Sequence, residues 1–193
     1  VLITGDVYTS ANHNLTAQLD YVRLLHKLGQ HQIPVFAVLG NHDPAESWKA
    51  RIAFPPNVHV FSTEKVERMP LLVDGEEVAA IYGQSYARSE QRENVAWNFH
   101  KSPVDPFAIG MLHTQAGQTQ STYAPCTLTD LQESGMDYWA LGHVHKHRIL
   151  SENPYIVYSG NPQGLDCTET GERGCYLVEV GSYGTVTMQF IDT

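Results

Sequence analysis

Four apolar runs in this chain end in polar groups suited to metal chemistry. "VLIT" runs into Gly5-Asp6, "VFAVL" into "GNHD" (Gly40 to Asp43), "FAIGML" into His113, and "YWAL" into "GHVH" (Gly142 to His145). Short apolar runs of this kind read as strands, and a strand apolar on both faces belongs to a sheet covered on each side. After the first run, Leu15, Leu19, Val22, Leu25 and Leu28 recur at helical spacing, between a candidate N-cap at Asn14 and a terminator at Gly29. A strand, a helix and a second strand make a β-α-β unit whose strands lie parallel with a right-handed crossover. The chain is therefore expected to adopt an α/β fold. In open α/β sheets ligands collect beyond the carboxyl ends of the strands, so the four endings are expected to converge. Gly5, Gly40 and Gly142 suit sharp turns from strand to loop.

The remaining pattern is mostly short strands. "VHVF", "KVERMPLLV" and "EVAAIYG", with a turn signal at Asp74-Gly75, suggest antiparallel pairing between residues 58 and 82. A helix is expected over 88–100, a strand over Phe107 to Leu112, and a short helix over Thr127 to Ser134, capped by Thr127 with Asp130 in its first turn. "RIL", "YIVYSG", "GCYLVEV" and "TVTMQFI" point to a mostly antiparallel end. With 193 residues, 42% of them hydrophobic, and no repeat or linker, residues 1–193 are expected to form one domain. The chain opens at Val1 directly into a strand-like run, which reads as an N-terminally truncated protein.

Composition narrows the chemistry. No apolar run approaches a membrane span and no signal pattern opens the chain, so a cytoplasmic protein without a membrane partner is expected. Cys126, Cys167 and Cys175 form no C-x-x-C pair, which argues against both a disulfide framework and a thiolate zinc site. The net charge of −9 argues against a freestanding nucleic-acid binder with a broad cationic face, although bound divalent cations would reverse that locally.

The donor set at the strand ends is Asp6, Asn41, His113, His143 and His145. One carboxylate, one amide oxygen and three imidazoles, without thiolate, suit manganese, iron or zinc. Asp6 can bridge two ions with its two oxygens. Asn41, His113 and His143 nearly complete one ion, whereas His145 and Asp6 alone leave a second short of ligands, and the chain contains no D-x-H to supply them. A ligand-bearing segment upstream, or a weak second site, is expected. His143 and His145 alternate and share a face if extended. His147, Lys146 and Arg148 are expected in solvent ahead of phosphate contact. His13, His26, His31, His59 and His100 read as surface or packing residues, and Trp48, Trp97 and Trp139 as packing residues. The Leu15 to Leu28 stripe reads as core, with its far side available to a second copy.

"GD" at Gly5-Asp6, "GNHD", "LHT" at Leu112 to Thr114 and "GHVH" resemble four of the five blocks of the calcineurin-like metallophosphoesterases; the absent block is the first, D-x-H, on a strand before GD. Within that superfamily, "IPVFAVLGNHD", "DYWALGHVHK" and "YSGNPQGLDCTETGERGCYLVEV" resemble the bacterial DNA repair exonucleases related to the SbcD nuclease subunit, over nearly the whole chain. The protein phosphatase branch continues its GD block into Asp-Arg-Gly, whereas Asp6 here is followed by "VYTSANHN". The resemblance implies a four-layer αββα sandwich, lacking its first strand in this chain, and two divalent ions, manganese ahead of iron or zinc. It implies phosphodiester hydrolysis on DNA and an SMC-like ATPase partner; a homodimer is the further partner expected, from the far side of the Leu15 to Leu28 stripe. Asp6 would bridge the ions, Asn41, His113 and His143 would complete one, His145 would bind the other, His42 would be the catalytic histidine and Asp43 would orient it. The alternatives are a phosphoesterase for a small phosphoester or nucleotide, and a metal-deficient, non-catalytic scaffold.

Overall fold

Strand β1 (Leu2–Thr4) leads through a 3-10 turn (Ser10–Asn12) into helix α1 (Leu15–Gln30) and back into β2 (Val35–Val38), which pairs parallel with β1. The computed structural model describes residues 1–12, 14–47 and 53–193; His13 and Trp48, read above as surface or packing residues, lie outside them. Asn14 caps α1 by accepting from the Ala17 amide, and the helix runs through Gly29 to close at His31, whose N–H donates to the last carbonyls. Gln18, Val22 and Leu25 are buried, whereas Leu15 and Leu19, expected in the core, are 49% and 37% exposed. Sixteen helical residues span about 24 Å and strands of three or four residues only about 13 Å, so the helix is longer than the strands it connects.

β3 (Val58–Val60) joins this sheet parallel to β2, Val35 opposite Val58. The antiparallel expectation for "VHVF" is thereby corrected. The connection over 39–57 returns the chain to the start of the sheet, as a crossover does and a hairpin cannot.

The second sheet has six strands: β4 (Glu67–Val73), β5 (Glu76–Gln84), β6 (Ala108–His113), β7 (Tyr138–Gly142), β8 (Arg148–Glu152) and β9 (Tyr155–Tyr158), in the order β4-β5-β6-β7-β9-β8. β4 and β5 form the expected hairpin, turning at Asp74-Gly75 with both residues at positive φ. β5, β6, β7 and β9 are mutually parallel, and β8 is antiparallel to β9. The chain's end is therefore less antiparallel than expected, because β9 adds to β7 in parallel. α2 (Leu128–Glu133) carries a complete capping box, Thr127 and Asp130 each accepting the other's amide N–H. Residues 88–100 form no α-helix; they hold one 3-10 turn (Val95–Asn98), whose Trp97 is 65% exposed with its indole N–H donating to Asp130, against the packing role expected for it. Trp139, by contrast, is fully buried.

The layers follow from which faces are apolar. Phe36, Val38 and Phe61 of the first sheet pack on Ile81 and Met111 of the second. The opposite face of the large sheet, with Ala80, Leu112, Trp139 and Leu141, is covered by Phe99, Leu131 and Met136 from the segments around the 3-10 turn and α2. The order is α, β, β, α. A last hairpin, β10 (Gly174–Val180) with β11 (Val186–Asp192), lies on Phe107, Tyr138 and Val157 on the sandwich face of the large sheet. Between this hairpin and β1 runs an apolar cleft of about 940 Å³, floored by Ile81, Ile109, Tyr138 and Ala140. No described helix is long and apolar enough to cross a membrane.

Gly83 sets the spacing of the sandwich, since a Cβ there would collide with the Phe61 ring. Gly83→Ala is expected to lower unfolding stability by about 1–3 kcal/mol, read as a reduced urea midpoint.

Candidate metal centre

β1 and β2 in one sheet and β6 and β7 in the other end at the same place, and their main chains approach unusually closely there. A Cβ on Gly5 would lie 2.7 Å from the Gly40 amide nitrogen and 2.8 Å from His113 Nδ1; one on Gly40 would strike the Asp6 carboxylate, and one on Gly142 would strike the Thr4 carbonyl. Only Gly5 of the three has positive φ, so Gly40 and Gly142 are required for close approach rather than for turn conformation. Asp6 (φ 56) and His143 (φ 94) also occupy the left-handed region, a strain of about 1–3 kcal/mol each that the surrounding contacts must offset.

Hydrogen bonds fix which atoms point inward. His113 is fully buried, and its Nδ1 lies 2.8 Å from the Thr4 carbonyl, which can only accept, so Nδ1 carries the proton. The Nε2 lone pair then faces Asn41 Oδ1 at 2.9 Å and Asp6 Oδ2 at 3.2 Å. His143 has an acceptor at each ring nitrogen, Gln115 Oε1 2.9 Å from Nε2 and Asn41 Oδ1 3.1 Å from Nδ1; a neutral ring that donates to Gln115 turns its Nδ1 lone pair toward the same Asn41 oxygen. With both imidazoles neutral, Asp6 Oδ2, Asn41 Oδ1, His113 Nε2 and His143 Nδ1 converge as four acceptors. Without a positive charge between them such an arrangement is repulsive, and a divalent cation with oxygen and nitrogen ligands suits it. Ligand atoms of Asp6, His113 and His143 all lie within 4.8 Å of one another.

The pocket favours positive charge beside Asp6 and disfavours it on His143. Burial alone would raise the Asp6 pKa, but the His113 hydrogen bond and charge and the His42 amide, 2.7 Å from Asp6 Oδ1, hold the carboxyl below its usual range. For His143 burial dominates and the charge of His113 adds to it, bringing the pKa down to about 4. Its ring is neutral at pH 7, as a ligand must be.

Asp43 binds main chain on both sides of the centre. Its buried carboxylate accepts from the amides of Asp6 (3.1 Å), Val7 (3.0 Å) and Gly40 (2.7 Å), tying the loop after β1 to the loop after β2. Both oxygens are engaged by main chain, so Asp43 forms a clamp that shapes the centre. His42 is exposed at the rim, its carbonyl accepting from the amide and hydroxyl of Ser10.

His145 stands close enough to act on the charge of His143, but its Nδ1 is held by Glu169 Oε1 at 2.5 Å. That bond, with those from Asn161 Nδ2 and the Leu165 amide, brings the Glu169 pKa down to about 2. Gln115, Glu169 and Tyr123, whose ring lies 4.5 Å from that of His143, escaped the sequence reading. Gln115 shares the parity of His113 two residues on, a faint signal; Glu169 sits in an irregular loop and offers none. His147 corrects an expectation: it stacks on Phe190 at 4.2 Å with Nδ1 3.2 Å from the Tyr176 hydroxyl, inside an aromatic cluster. Lys146 and Arg148 are exposed as expected.

Two outcomes follow from this geometry. The His143 pKa of about 4 lies below its ordinary 6.5, so the unfolded chain takes up a proton first. Stability from this group is complete above pH 6.5 and declines as the pH falls toward 4; in the metal-free protein the urea midpoint should drop over that window, less steeply in His143→Gln. Gly142→Ala, which forces a methyl into the Thr4 carbonyl, should cost about 1–3 kcal/mol in the same assay and weaken manganese binding measured by calorimetry.

The sequence model for calcineurin-like phosphoesterases matches residues 1–147. The chain is 41% identical over 193 residues to the uncharacterized metallophosphoesterase YhaO of Bacillus subtilis, an alignment covering 98% of this chain and 47% of YhaO. It is 25% identical over 198 residues to the DNA double-strand break repair protein Mre11 of Sulfolobus acidocaldarius, covering 93% of this chain and 49% of Mre11. The chain spans about half the length of these relatives. The matched segment ends two residues beyond His145, so it contains every strand end that builds the centre, and the chain belongs to the calcineurin-like phosphoesterase family.

Proposed function

We propose that this domain hydrolyses phosphodiester bonds of DNA with two divalent ions, manganese ahead of iron or zinc, as the nuclease part of a repair complex. The observation that carries this reading is the acceptor-only set of Asp6, Asn41, His113 and His143 at the shared end of both sheets. The similarity to Mre11 supports the choice of DNA. Asp6, Asn41, His113 and His143 would hold one ion, and Asp6 with His145 would contribute to a second. Divalent ions there would supply Lewis-acid chemistry at the phosphorus and an activated water.

The remaining work belongs to the chain's own groups. His42 is exposed while its main chain is pinned on both sides, by Asp6 and by Ser10, so its imidazole is available at a fixed place on the rim. From there it donates a hydrogen bond to the phosphoryl oxygen or a proton to the departing oxygen. Gln115 and the Thr4 carbonyl keep the two inner imidazoles in their ligating tautomers. With a net charge of −9, the chain depends on bound cations for local attraction of phosphate and on a partner, an SMC-like ATPase, for wider grip on DNA.

The test is cleavage of linear duplex DNA by the full chain with manganese, set beside turnover of bis-p-nitrophenyl phosphate. Duplex cleavage should fall by about 10²-fold or more in His42→Ala and be lost in Asp6→Ala; unchanged cleavage in both variants would overturn the assignment. Turnover of the small diester with DNA left intact would transfer the same site to a small phosphodiester or nucleotide. Absence of both activities and of metal binding would make the domain a scaffold.

A further inference from the structure

His145 is gripped at both ends by one loop. Its ring Nδ1 meets Glu169 Oε1 at 2.5 Å, and its main-chain carbonyl accepts from Arg173 Nη1 at 2.7 Å and from the Asn161 amide at 3.0 Å. The loop is braced internally: Glu169 Oε2 accepts from Asn161 Nδ2 and the Leu165 amide, and Arg173 Nη1 also donates to Asn161 Oδ1 at 2.6 Å. Gly160, at φ 75, brings the loop so near that a Cβ would lie 2.7 Å from the His147 nitrogen and 2.8 Å from the His145 carbonyl oxygen. None of these residues lies in the four sequence blocks.

We infer that Glu169 is a positioning residue for His145: its carboxylate holds the proton on Nδ1 and leaves the Nε2 lone pair as the one the ring offers to a metal. A carboxylate behind a ligating imidazole fixes both tautomer and ring orientation. Replacing it with an amide turns one acceptor into a donor that faces two existing donors, Asn161 Nδ2 and the Leu165 amide. Glu169→Gln is therefore expected to resemble Glu169→Ala, and Glu169→Asp to restore part of the effect. The inference rests on reading His145 as a metal ligand, and the two are tested separately.

The first measurement needs no metal. Imidazole ¹⁵N shifts of the metal-free full chain at pH 8 should show His145 protonated on Nδ1 in the wild type, with that preference lost in Glu169→Ala while His113 and His143 stay unchanged. An unchanged His145 tautomer would overturn the inference. The second is manganese titration by calorimetry, where Glu169→Ala and Glu169→Gln should weaken the weaker of two sites by about 10–100-fold and spare the stronger. Equal weakening of both sites together with a lowered melting temperature would mean a merely structural role and would also overturn it. A wild type that binds no second ion, yet shows the tautomer change, would uphold the positioning and refute only the ligand reading.

Discussion

Four lone pairs pointed at one another set the terms for the rest of this structure. With neutral imidazoles, Asn41 Oδ1, Asp6 Oδ2, His113 Nε2 and His143 Nδ1 meet without a donor, an arrangement no isolated cluster of side chains would keep. It persists because each group is fixed from behind. The Thr4 carbonyl holds His113, the His42 amide holds the other Asp6 oxygen, and Gln115 holds His143. Those partners are largely main chain, and main chain stays put only if the strands that carry it do. The apolar packing of Phe36, Val38 and Phe61 on Ile81 and Met111 brings the two sheets together, and Gly5, Gly40 and Gly142 allow their ends to come closer than side chains permit.

Asp43 illustrates the same dependence. A buried carboxylate must find donors, and it finds them in the amides of Asp6, Val7 and Gly40, adding to the bonds of His42 with Asp6 and Ser10 that also join the two loops. Burial works to raise its pKa and the three amides work to lower it. The group therefore helps to build the site. The folded loop places His42 exposed at the rim and Asp43 in the interior.

What was legible in the sequence is what local chemistry determines. The Asn14 cap, the Thr127 and Asp130 capping box, the Asp74-Gly75 turn and the polar residues at four strand ends each depend on near neighbours. Their convergence was legible too, because parallel strands send their carboxyl ends the same way. Partners chosen across the fold were not. β3 pairs in parallel because of a long crossover, and Leu15 is exposed on a helix longer than the strands beside it. Glu169 has no periodicity or motif; only the closing of its loop on His145 gives it a task.

The centre is consequently built to two standards. His113 is wholly buried on a central strand, between β5 and β7 on one side and β1 on the other, and its hydrogen-bond partner is a strand carbonyl. His145 is part-exposed beyond the end of β7, and what holds it is an irregular segment between β9 and β10. Elements with few buried apolar contacts and exposed hydrogen bonds open at lower free energy than core strands. The half of the site around His113 and His143 therefore shares the stability of the sandwich, and the half around His145 shares that of a surface loop. An ion seated between Asp6, Asn41, His113 and His143 would meet ligands already in place, whereas the second ion proposed at His145 would also have to keep residues 161–173 closed. Preorganisation lowers the cost of binding at the first and leaves more of it to be met at the second, so the asymmetry lies in the fold before any ion arrives.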